Sequence, residues 1–126
     1  MIRVEGLQGL TDRLSRLDLA ATEHVALEQA ATGLQDAVRQ RLSHTPGESH
    51  DAPWLRSGAL RGSVTHEVDG TEALVGSDDP VAVDQECGTR TDPPRPFLAP
   101  VAAVEAGGLV AGIAVAVLAR LRAALT

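Results

Sequence analysis

Apolar positions follow two different periods along this chain, and the switch between them marks its organisation. Leu7, Leu10, Leu14 and Leu17 recur at steps of three and four, which sets one leucine stripe on a short helix with Arg13 and Arg16 off it. Asp18 is placed to cap a second helix, and Ala21, Val25, Leu27, Ala30, Ala31, Leu34, Val38 and Leu42 carry the same period onward. The pattern fits either one bent helix or two. A continuous helix over 18–42 would be about 37 Å long at 1.5 Å per residue, so one face must pack on the rest of the domain or on another copy.

Segment 43–53 holds His44, Pro46, Gly47, His50 and several small polar residues, and reads as a mobile loop. From Leu60 the period drops to two: Leu60, Gly62, Val64, His66 and Val68 alternate with Arg61, Ser63, Thr65 and Glu67, predicting a strand with one wet face. Asp69 and Gly70 signal a tight hairpin, 71–77 a return strand, and Asp78, Asp79 and Pro80 a turn. Segment 81–87 fits a third strand or a helical turn, closed by Gly88. Prolines 93, 94, 96 and 100 predict a stiff, extended arm over 91–100. The segment 101–125 is helical by its length and its Ala, Val and Leu content, with Arg120 and Arg122 well placed near its C-terminus. No internal repeat is visible.

Composition narrows the picture. At 126 residues the chain is long enough for one domain and too short for two cores. Hydrophobic residues make up 44% but aromatics only 2%, namely Trp54 and Phe97, so the core must be assembled from small side chains. Each buries little area at roughly 25 cal/mol per Å², and the domain should gain stability from neighbouring copies. Eleven basic residues, all arginine, stand against 17 acidic ones for a net charge of -6, which argues against a dedicated nucleic-acid binder. The single cysteine rules out an internal disulfide and points to the cytosol. The N-terminus lacks the pattern of a signal peptide. The uncharged run 106–119 is shorter than the about 20 residues of a membrane span, and reads as a packed helix.

Few residues suggest chemistry. His44 and His50 with Glu48 and Asp51 match no metal-ligand spacing, and read as a solvated loop. Cys87 has no activating neighbours and reads as a small buried hydrophobe rather than a nucleophile. Glycines 58 and 62 do not follow a phosphate-loop spacing. Trp54 reads as a core plug or an interface anchor.

Three separated signals then line up. Trp54, Leu55, Arg56, Ser57, Gly58, Ala59, Leu60, Arg61, Gly62 and Ser63 precede the strand; Val75, Gly76 and Ser77 end its partner; and Glu86, Cys87, Gly88 and Thr89 are followed by Pro94, Arg95, Pro96, Phe97, Leu98, Ala99 and Pro100. In this order they resemble, over nearly the whole chain, the small tail-completion or head-to-tail joining family of long-tailed bacteriophages, found also in gene transfer agents. The family's Thr-Gly-x-Leu-Arg pattern falls on Ser57, Gly58, Leu60 and Arg61, with serine for threonine. Its Glu-aromatic-Gly-Thr pattern falls on Glu86, Gly88 and Thr89, with Cys87 for the aromatic, and Val83 and Asp84 stand where aromatics are also common. Its Arg-Pro-Phe-Leu-x-Pro pattern is intact at Arg95, Pro96, Phe97, Leu98 and Pro100.

The resemblance implies an α+β fold with N-terminal helices, a small antiparallel sheet and a C-terminal helix packed on the sheet. It implies a structural virion protein without a reaction or a cofactor, made in the host bacterial cytoplasm. Such proteins form a ring, commonly a hexamer, in the neck between a head-completion or connector protein and the tail tube or terminator. DNA passes through the ring without specific binding, and no membrane is involved. The candidate interface comprises Trp54, Arg61, Glu86, Gly88, Thr89, Arg95, Pro96, Phe97, Leu98 and Pro100. Phe97 and Leu98 act as an anchor on the pre-extended arm, and Glu86 is a candidate ion-pair partner for Arg95. Asp69, Glu72, Asp78 and Asp79 are candidates to line the channel, where carboxylates repel phosphates. The rival reading is a small cytosolic regulatory module whose Ala-rich last helix pairs with a partner helix; a hydrolase using Cys87 or a loop histidine is the remotest.

Overall fold

The structure, a computed structural model, describes residues 3, 5–45, 47 and 50–125. Pro46 and Glu48 of the expected loop lie outside the described residues, as do the side chains of Leu7 and Leu14 in the leucine stripe. The element order is α1 (Leu7–Ser15), α2 (Leu19–Arg41), α3 (Ala59–Ser63), β1 (Val64–Asp69), β2 (Glu72–Ser77), α4 (Pro80–Cys87) and α5 (Ala99–Leu125). The fold is α+β, as expected.

The choice between one helix and two is settled by Asp18, whose carboxylate accepts a hydrogen bond from the Ala21 N–H at 3.1 Å and caps α2. Helix α2 is the central beam, about 35 Å long at 1.5 Å per residue. It packs against β1 and β2 and, most extensively, against α5. Only small residues, Ala26 and Ala31, are buried along its N-terminal half, which lets neighbours approach closely. Helix α1 lies against α5, and Leu10 of its stripe remains exposed.

The main core joins Val38 and Leu42 from the end of α2, Val64 from β1, Ala82 from α4 and Phe97 from the arm. Leu60, Val75, Leu98 and Val101 pack around it. Thus the sheet, the arm and the start of α5 meet on one small cluster, with the ring of Phe97 as its largest piece.

Two expectations change and one open choice is settled. The period-two run begins as helix, not strand: Leu60 lies in α3 and β1 starts at Val64. Leu60 and Val64 are also four apart, so the turn of α3 brings Leu60 and the first residue of β1 to the same core, and the Ser57 hydroxyl accepts from the Ala59 N–H at its start. Segment 81–87 is helical, because Asp79 accepts from the Val81 N–H at 2.9 Å while Pro80 fills the first helical position. Cys87 is exposed rather than buried, because α4 turns Ala82 to the core and Cys87 away from it. The hairpin holds as predicted, with β1 and β2 antiparallel from Val64 opposite Ser77 to Asp69 opposite Glu72. Gly70 takes φ +58, as the first central residue of a II′ turn requires.

Candidate functional site

Helix α5 begins at Ala99, preceded by Phe97 and Leu98, neither of which has a side chain able to cap it. The acceptor comes from α4. The Glu86 carboxylate accepts from the N–H groups of Phe97 (2.8 Å), Leu98 (3.0 Å) and Ala99 (2.9 Å), spanning both of its oxygens. Partial burial works to raise the Glu86 pKa, but these three donors and the nearby Arg41 charge outweigh it, and the carboxyl titrates below its usual value. Arg41 Nε donates to the Pro96 carbonyl at 3.0 Å, tying the same arm to α2. Pro100 sits in the first turn of α5, where a missing N–H costs nothing.

The expected Arg95–Glu86 ion pair is therefore replaced by a clasp of backbone donors. Phe97 is fully buried within its own chain, so its anchoring is internal and it has no surface to offer a neighbour. Gly88 ends α4 at φ +76, and a Cβ there would stand 2.7 Å from the Pro94 nitrogen, so chain turn and arm meet too closely for any side chain. Thr89 closes the following turn: its N–H donates to the Asp92 carbonyl, and its hydroxyl accepts from the Asp92 N–H.

The remaining interface candidates gather elsewhere. Trp54, Arg61 and Arg95 line a cleft of about 390 Å³ together with Arg56, which the sequence reading did not single out. The His50 ring stacks on Trp54 at 3.9 Å, and the Arg56 guanidinium lies 5.7 Å from the centre of the Trp54 ring. Arg61 donates to the Ser43 hydroxyl at 3.2 Å. Desolvation of the His50 ring, then the charges of Arg95 and Arg56, lower its pKa. His44 lies 3.9 Å from Asp51, away from the stacked His50. Among the described residues no cluster of three or more His, Cys, Asp or Glu could hold a metal ion.

The channel-lining candidates form two groups. Asp69 and Glu72 face each other at the hairpin tip, while Asp78 and Asp79 sit at its base. They are separated by the length of the ribbon, and Asp79 is committed to capping α4.

Helix α5 presents a long uncovered surface. None of its residues is buried. Val104, Gly108, Ala111, Val115, Leu118, Arg122 and Leu125 follow one another at alternating steps of four and three along its outward side, the spacing of a helix-pairing seam. Val104 is 80% exposed and Val115 66%. Contrary to the expectation from its short uncharged run, α5 as a whole is long and apolar enough to cross a membrane by length and composition, with a mean hydropathy of 2.2 over its most apolar 18 residues. Comparison with protein families, with curated proteins and with solved structures finds no match to this chain.

Proposed function

We propose that this chain is a structural subunit of a phage-type virion neck, closing with identical copies into a ring that joins head to tail and lets DNA through. The carrying observation is α5: an uncovered helix of 27 residues with an apolar seam on its outward side is a surface built to be shared. The ordered resemblance of the Ser57, Glu86 and Arg95 motifs to tail-completion proteins supports the virion assignment. The Glu86 clasp supplies a physical reason for two of those motifs, since it fixes the Arg-Pro-Phe-Leu arm and aims α5. A subunit charge of -6 repeated around a ring suits a channel that passes DNA without holding it.

Size-exclusion chromatography with light scattering, followed by negative-stain images, tests the reading. A closed ring is expected, and a strictly monomeric protein at high concentration overturns it. Deleting the gene from its phage should leave separate filled heads and tails; normal infectious particles would refute the assignment. The rival helix-pairing module would instead give a one-to-one complex with a different chain. Recovery in the membrane fraction, extracted only by detergent, would assign the α5 surface to lipid.

A further inference from the structure

The arginine cleft and the hairpin ribbon are complementary in chemistry, and the cleft and the ribbon's acidic tip lie at opposite ends of the ribbon. Arg56, Arg61 and Arg95 converge on the cleft from the 50–58 segment, α3 and the arm, with Leu60 and Val81 contributing an apolar lining. Among the described residues no carboxylate lies within ion-pair distance of any of the three. Asp79 and Asp92 also line the cleft, but the former is committed to its helix cap. Guanidinium groups without a carboxylate partner in a chain with 17 acidic residues and 11 basic ones are suited to receive carboxylates from outside.

The outward face of the ribbon offers those carboxylates around a greasy centre. Glu67 and Asp69 of β1 and Glu72 and Leu74 of β2 are all exposed on one face, with Glu67 opposite Leu74 and Asp69 opposite Glu72. Leu74 is 56% exposed and forms the apolar centre of that face. The cleft lies at the ribbon's base, where α3 enters β1 and β2 leads into α4. The tip is about 17 Å away at 3.4 Å per residue, so a chain cannot seat its own ribbon in its own cleft.

We propose that the acidic outer face of one copy's ribbon docks in the Arg56–Arg61–Arg95 cleft of the next copy, Leu74 entering toward Leu60 and Val81. The inference rests on the ring reading and deepens it. Donor and acceptor are different patches, so the contact is head-to-tail, the kind that propagates and closes into a ring. It moves Asp69 and Glu72 from the channel wall to the subunit boundary.

The test is a charge swap. One variant carries Glu67→Arg and Glu72→Arg, the other Arg56→Glu and Arg95→Glu; circular dichroism checks that both fold. Each alone should lose assembly at least tenfold in midpoint concentration. Mixing them should restore it in an alternating ring, because the basic ribbon of the first variant then meets the acidic cleft of the second, and the native acidic ribbon of the second meets the native basic cleft of the first. A wild-type ring whose variants still assemble overturns this contact and leaves the ring reading standing, whereas a monomeric wild type overturns both. Phosphate raising the melting temperature of the wild type but not of the Arg56→Glu, Arg95→Glu variant, with assembly unchanged in both, would reassign the cleft to a small anion and overturn the docking.

Discussion

Glu86 caps a helix whose first residue lies thirteen positions further along the chain. Replacing it with alanine leaves three backbone N–H groups without their acceptor, and a loss of about 1–3 kcal/mol is expected in urea unfolding. Glu86→Gln keeps an acceptor oxygen and should recover part of this loss. The charge also links the clasp to pH. Because the folded pKa is lowered, the stabilisation is fully present above the ordinary value of 4.5 and is lost as pH falls through the depressed folded value. The urea midpoint of the wild type should therefore drop in that acid range, while Glu86→Gln follows a flatter profile; parallel profiles would show that the carboxylate charge is not what holds the arm. Phe97 is the other decisive residue. Its ring is fully buried, so Phe97→Ala should cost about 3–5 kcal/mol, read as a lower melting temperature, with assembly failing because the subunit itself is destabilised.

At the scale of elements, the α4–arm–α5 junction is held by close approach as much as by hydrogen bonds. Gly88→Ala would push a Cβ into the Pro94 nitrogen and Cδ, at 2.7 and 2.8 Å, at a residue already in the left-handed region. Backbone atoms cannot step aside as a flexible side chain can, and a destabilisation of about 1–3 kcal/mol is expected in thermal unfolding. A melting temperature equal to that of the wild type would mean the junction is looser than its geometry. The Glu86 clasp and Gly88 explain why an arm with so few backbone donors of its own still enters α5 at a fixed angle. The β1–β2 ribbon is anchored differently, through His66, whose ring nitrogens reach Gln35 Oε1 at 2.7 Å and Glu28 Oε1 at 2.6 Å on α2.

For the whole molecule the dominant feature is imbalance. A small core gathers at one end of α2, while α5 extends about 40 Å at 1.5 Å per residue with none of its residues buried. In the proposed ring, covering this seam would supply apolar burial that the small core does not. Leu118→Arg on that seam should abolish the assembled species in light scattering. It should leave the folded monomer within about 0.5 kcal/mol of the wild type, because Leu118 is half exposed already. An intact ring in this variant would move the subunit contacts off α5.

The sequence by itself determined the elements whose causes are local. Asp18 starts the second helix, Gly70 turns the hairpin, and the apolar length of 101–125 makes a helix wherever it lies. It also determined that the core would be poor in bulk and that Phe97 would matter. Tertiary structure decided whatever depended on groups that carry no sequence signal. Glu86 found backbone N–H donors, which every residue but proline has, rather than the arginine that charge alone suggested. Leu60 could satisfy period two or period four equally, and only the position of the core chose the helix. The arginines of the cleft are scattered along the chain and became a site only when α3, the arm and the 50–58 segment folded onto the end of α2, because convergence in space is set by packing and not by spacing in sequence.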